Sequence, residues 1–156
     1  MKQLFLILAI VAFLFTGCDN DSSSGNGTSS GNVTLKYEIE STSAFSPVFI
    51  SGAQLFPSLN VTYINETGQS QSEQINTNTS TWSKTIQLTA TQRPIIITFG
   101  TTAYTANASG TGVVRVYVNG VLKANQNIQI TSNVFQGGGT TGATGTFTGG
   151  INYPLY

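Results

Sequence analysis

The chain has 156 residues, with 6 Lys and Arg, 6 Asp and Glu, no histidine and one cysteine. Formal net charge is +0 and only 8% of residues are charged, so no basic patch exists for a nucleic-acid backbone and no nucleic-acid partner is expected. Without histidine, neither a Ser-His-Asp nor a Cys-His set can form, and a His/Cys metal site is equally excluded. No cofactor is expected.

Lys2 supplies a short positive segment, and Leu4 to Phe15 is an apolar run of about a dozen residues. That length suits the core of a signal peptide and falls short of the ~20 residues that span a bilayer. The run closes on Leu14-Phe15-Thr16-Gly17-Cys18. Thr16 and Gly17 are small enough for a peptidase to grip the backbone. Cys18 carries the only thiol, the group that accepts a lipid as a thioether. The stretch resembles the lipobox of bacterial lipoproteins, with Phe15 where leucine is usual. It implies a cleaved signal peptide over 1–17 and an acylated Cys18 whose partner is membrane lipid. An uncleaved anchor, or ordinary secretion with a stray cysteine, are the other readings. Each buried CH₂ contributes about 0.8 kcal/mol, so an anchor of two or more chains is stable.

Residues 18–32 read as the lipidated cysteine and a flexible linker. Asp19 to Asn32 contains only Asp, Asn, Ser, Gly and Thr, which bury nothing. Its typical reach is roughly 20 Å. Asp19 and Asp21 resemble the acidic tags that send lipoproteins of the Bacteroidetes group to the outer face of the outer membrane; plain solubility is the other reading. The location this implies is the bacterial cell envelope, lipid-anchored at the outer membrane and open to surface exposure.

The folded domain is expected over 33–156. Val33 to Ile39 alternates, with Val33, Leu35, Tyr37 and Ile39 on one face and Thr34, Lys36, Glu38 and, beyond them, Glu40 on the other: a half-buried strand. Val48-Phe49-Ile50 reads as a short strand between Pro47 and Gly52. Leu59 to Asn65 alternates again, turns at 65–68 and returns as a polar strand over 69–75, which predicts a hairpin at a sheet edge. Thr81 to Ala90 places Trp82, Lys84, Ile86 and Leu88 on one face, with Trp82 and Lys84 near the rim. The run Pro94 to Gly100 reads as a central strand buried on both faces. Tyr104 to Gly112 reads as a loop or a weak edge strand. Val113 to Lys123 holds Asn119-Gly120 between two β runs, the signature of a type I′ hairpin. Asn127 to Thr131 reads as a continuation of the return strand. Gly137-Gly138-Gly139 reads as a loop, Thr144 to Thr148 as a weak last strand, and Ile151 to Tyr156 as a tail that docks on the sheet or awaits a partner. Seven to nine short strands predict an all-β fold, an immunoglobulin-like antiparallel β-sandwich.

The order Val33 to Ile39, Val61 to Glu66, Trp82-Ser83-Lys84, Val114 to Leu122 and the closing Gly/Thr/Ala stretch resembles the MmpS family and its lipoprotein relatives. The resemblance implies a small membrane-tethered β-sandwich, an accessory role beside envelope exporters and no catalytic residue. That family's better-known members carry a transmembrane anchor where this chain has a lipobox.

Glu38 and Glu40 lie two apart on one strand, hence about 7 Å apart on one face, a spacing that overlaps an inverting glycosidase pair. Both share the wet side of Lys36, so a solvated strand face is the competing reading. Trp82 and Tyr117 are the candidate ligand-binding rings, for stacking on sugar; core or rim packing is the alternative for Trp82. Three functions follow in order: a non-catalytic lipoprotein that scaffolds or assists an envelope or transport complex, a cell-surface glycan-binding module, and a hydrolase built on an unusual carboxylate site.

Overall fold

The computed structural model describes residues 31–50, 52–105, 109–137 and 140–155, so the expected signal peptide, Cys18, most of the expected linker and Tyr156 lie outside the described residues. The strands are β1 Val33–Phe45, β2 Val48–Ile50, β3 Ala53–Phe56, β4 Leu59–Ile64, β5 Ser70–Ile75, β6 Thr79–Leu88, β7 Ile96–Thr105, β8 Thr111–Val118, β9 Val121–Gln129, β10 Thr131–Gly137 and β11 Thr140–Pro154. One sheet has the order β6-β1-β8-β9, a second the order β10-β11-β7-β4-β5, and β2 and β3 form a separate hairpin. All pairings are antiparallel. The result is the expected antiparallel β-sandwich, with eleven strands among the described residues rather than seven to nine.

Alternation decides which side chains meet between the sheets. Leu35, Tyr37 and Ile39 from β1, Val114 and Val116 from β8, and Ile86 and Leu88 from β6 face Leu59, Val61 and Tyr63 from β4, Ile97 and Phe99 from β7, and Phe147 from β11. Burying each such aliphatic or phenyl side chain contributes about 1.5–3 kcal/mol. Tyr37 lies at the centre, its ring 5.1 Å from Phe99 and 5.7 Å from Tyr63. Its hydroxyl donates to the Ile64 carbonyl at 3.2 Å, which satisfies the one polar atom the ring carries inward. Burial pushes the phenol's pKa well up, so it stays neutral.

Three local expectations change. The run Pro94 to Gly100 is not buried on both faces: Ile97 and Phe99 are buried, whereas Ile95 is 79% and Ile96 53% exposed. β7 is central in its sheet, but a two-layer sandwich leaves every strand one wet face. In the stretch 104–112, read as a loop or a weak edge strand, Tyr104 and Thr105 belong to β7 and Thr111 and Gly112 to β8, neither of them an edge strand; residues 106–108 lie outside the described residues. The Gly/Thr-rich stretch does form the last strand, but a longer one than the expected Thr144 to Thr148. It forms the 15-residue β11, paired with β7 from Gly145 to Pro154 and with β10 from Thr140 to Thr146. Glycine suits close packing here: a Cβ on Gly149 would come within 3.3 Å of the Ile128 side chain. The tail residues Ile151 to Pro154 dock as part of this strand. Of the expected triple-glycine loop, Gly138 and Gly139 lie outside the described residues.

The two ends of the sandwich differ. At the end where β1 begins lie the β8–β9 turn, the β6–β7 connection and the last residues of β11. Asn119 and Gly120 take φ of 50° and 78°, the left-handed conformations a type I′ turn needs. The Asn119 amide donates to the Thr34 carbonyl at 2.8 Å, and its side-chain oxygen accepts from the Thr34 amide at 2.9 Å. The hairpin is thereby stitched to the start of β1. The opposite end carries the β2–β3 hairpin.

Candidate functional site

The outer face of the four-stranded sheet carries the carboxylates. Register sets Lys36 opposite Tyr117, Glu38 opposite Arg115 and Glu40 opposite Val113. Arg115 Nη1 donates to Glu38 Oε1 and to Glu40 Oε2, each at 2.7 Å. Lys36 Nζ lies 2.7 Å from Glu38 Oε2 and 5.4 Å from the centre of the Tyr117 ring. Two cations and two anions thus alternate across two strands with no net charge.

The electrostatics follow from this order. The Lys36 ammonium hydrogen-bonded to Glu38 holds that carboxyl below the usual carboxylate range; partial burial opposes the shift and Arg115 adds to it. Arg115 is raised, first by its bond to Glu40. Lys36 is raised by Glu38. A general acid needs its carboxyl pKa raised toward neutrality. Glu38 is shifted the other way. Beside Glu40 the face opens into a cleft of about 420 Å³, walled by Ser41, Thr42, Thr111, Asn127 and Gln129.

The two ring candidates do not converge. Trp82 pairs with Ile39 and shares its inward parity; it is partly buried, with its ring centre 5.7 Å from Tyr63 and 6.0 Å from Phe99. Tyr117 sits on the opposite side of the same sheet, half-buried, with the Lys36 ammonium over its ring. Tyr63 is buried, and its hydroxyl donates to Glu73 Oε2 at 3.3 Å. Lys84 Nζ, 4.0 Å from the same carboxylate and 5.8 Å from the Tyr63 ring centre, joins the edge strands β5 and β6 of the two sheets. Tyr104 stacks on Phe56 at 4.7 Å.

A further surface was not singled out from the sequence. On the outer face of the five-stranded sheet, Thr148, Thr102, Asn60 and Gln74 form one cross-strand row, and Gly150, Gly100, Thr62 and Ser72 form the next. These rows hold hydroxyls, amides and bare glycine backbone, with no charged side chain. Between them lies a shallow cleft of about 260 Å³. Asn60 Oδ1, one of its walls, is buried with no hydrogen-bond partner among the described residues. Each strand contributes the wet half of an alternating pattern, so only the register reveals that the rows meet.

Among the described residues, no three His, Cys, Asp or Glu side chains come together as metal ligands. Fold and surface together define a class: a two-layer antiparallel β-sandwich with one ion-paired face and one uncharged polar face. No protein-family model matches the sequence, and no curated protein matches it.

Proposed function

We propose that this chain is a non-catalytic, lipid-anchored protein of the bacterial envelope that works by surface contact, as a scaffold or accessory subunit of an envelope or transport complex. The observation that carries the non-catalytic reading is Arg115, which bonds Glu38 and Glu40 at once. The one carboxylate pair with glycosidase-like spacing is thereby neutralised and held as an ion-paired face. The lipobox ending at Cys18 supports the anchor, and the resemblance to the MmpS family supports the accessory role. Intact mass of the membrane-extracted protein beside a Cys18→Ala variant, with protease treatment of whole cells and mild co-purification, tests this reading. It expects a chain that begins at an acylated Cys18 and brings down an envelope partner. An unmodified Cys18 or a reproducible lack of partners refutes it.

Glycan binding is the second reading, favoured by the uncharged rows around Asn60 and Thr102. Hydroxyl and amide side chains on a flat sheet suit a neutral polysaccharide, whose own groups are hydroxyls and ring oxygens. A glycan array separates the options. Loss of signal in Asn60→Ala or Thr102→Val places the sugar on this face, loss in Trp82→Ala or Tyr117→Ala places it on the rings, and no signal at all removes the reading.

A further inference from the structure

At the end of the sandwich where β1 begins, exposed apolar side chains lie beside Arg93, Lys123 and the arriving linker; the opposite end also exposes Phe49 and Leu55, on the β2–β3 hairpin. Arg93 donates from its guanidinium to the Gly31 carbonyl, which fixes where the chain leaves the linker. Ile95 and Ile96 stand exposed beside that point. The Leu155 amide donates to the Ile95 carbonyl at 3.0 Å, and Pro154 is the register partner of Ile96. Val121, 55% exposed, lines with Pro154, Leu155 and Lys123 a groove of about 370 Å³. Ile95, Ile96, Val121 and Leu155 therefore form one apolar rim around the tether's point of attachment, with the exposed ammonium of Lys123 in the groove wall.

Exposed apolar side chains carry information when they adjoin one another, because a contiguous patch marks a surface that something covers. Four partly exposed side chains fall short of the ~800 Å² per partner that a standard protein interface buries. They match instead a shallow seat in a headgroup layer, where a few apolar side chains enter and neighbouring cations meet anionic lipid. The tether supplies the occupant. A chain acylated at Cys18 reaches the domain at this end and presents it to the bilayer.

We infer that the mature domain does not stand off on its linker but sits on the membrane through Ile95, Ile96, Val121 and Leu155, with Lys123 against anionic headgroups. This rests on the lipid-anchor reading of Cys18. The experiment uses the full acylated protein in vesicles of phosphatidylethanolamine and phosphatidylglycerol. With the Cys18 sulfur blocked by lipid, Ile95→Cys and Phe49→Cys each add a single thiol for an environment-sensitive fluorophore. Phe49 lies in β2, at the opposite end of the sandwich, roughly 30 Å away by the length of β7. The expected result is a blue-shifted emission at position 95 that doxyl-labelled lipid quenches several-fold more than at position 49. Adding Val121→Ser, Leu155→Ser and Lys123→Gln should abolish the difference while the protein still floats with the vesicles. Flotation with equal, weak quenching at both positions overturns the seat and leaves the anchor standing. Failure to float overturns the anchor and the seat together. A blue shift at 95 without lipid quenching, in a protein that sediments as a dimer, overturns the seat in favour of a second copy.

Discussion

Replacing Arg115 with methionine removes the cation shared by Glu38 and Glu40 while keeping an apolar stem of similar length. The side chains of Arg115 and Glu38 are 24% and 22% exposed, so their bond is shielded enough to matter. Glu40 is 56% exposed, and its pair is discounted for solvent screening. Together the two pairs contribute about 1 kcal/mol at neutral pH. For a domain of this size that is a fall in Tm of about 3–6 °C. The pH dependence gives the sharper test. Glu38 has its folded pKa depressed by Lys36 and Arg115. Its contribution is therefore full above the ordinary carboxylate range, near 4, and disappears as pH falls through the lower folded value. Urea unfolding of both proteins at pH 7 and pH 2.5 should show a gap that closes in acid. High salt at pH 7 should narrow it as well. An equal gap at both pH values would mean that Arg115 acts by packing its stem and that the ion pairs contribute nothing. No gap at either pH would refute the network as a stabilising feature.

Other perturbations test the frame. Phe99→Ala removes a fully buried ring from the contact with Tyr37 and Trp82, and chemical unfolding should show a loss of about 3–5 kcal/mol. The same variant should shift the fluorescence of Trp82, the only tryptophan, to the red as water reaches the gap. Asn119→Ala places a side chain less tolerant of positive φ in the turn and removes the acceptor for the Thr34 amide, a loss of about 1–3 kcal/mol. Hydrogen exchange at Thr34 should accelerate in that variant; unchanged protection would show that the turn is not stitched to β1. Gly68 has φ of 77° and a Cβ there would lie 2.5 Å from the Gln92 carbonyl oxygen, so Gly68→Ala should cost at least about 1 kcal/mol by thermal unfolding.

The residues that alternate are the ones the sequence made legible. Leu35, Tyr37 and Ile39 announce their inward face because Lys36, Glu38 and Glu40 interrupt them, and Asn119-Gly120 announces a turn because few other pairs accept two positive φ values. Ile95 to Ile97 misleads for the same reason in reverse. A continuous apolar run suggests two buried faces, and only the layer count shows that one face is wet. β11 was legible only over Thr144 to Thr148, because the rest of its pattern is written largely in Thr and Gly. Its place is set by close approach to Ile128 and by pairing with β7, which are long-range facts. Strand parity does set Tyr117 apart from the valine face, but it says nothing of which sheet packs where. That Trp82 points inward to Phe99 while Tyr117 lies under Lys36 emerges only from the pairing of β1 with both β6 and β8.

The same register explains why the charged residues are so few and so placed. A sandwich of this size has two outer faces and two ends, and the domain from Val33 onward holds only nine charged side chains. Lys36, Glu38, Glu40 and Arg115 neutralise one another on one face, and Glu73 and Lys84 close one edge between the sheets. The five-stranded sheet's outer face keeps two rows without charge. Only Glu66, Arg93 and Lys123 remain, and all three lie at the end where the linker arrives: Glu66 in the β4–β5 turn, which packs against Gln92, and Arg93 and Lys123 beside Ile95 and Val121. With Glu66 at the same end, the linker end carries a net charge of only one cation, so the inferred membrane seat depends on the exposed isoleucines and valine more than on charge.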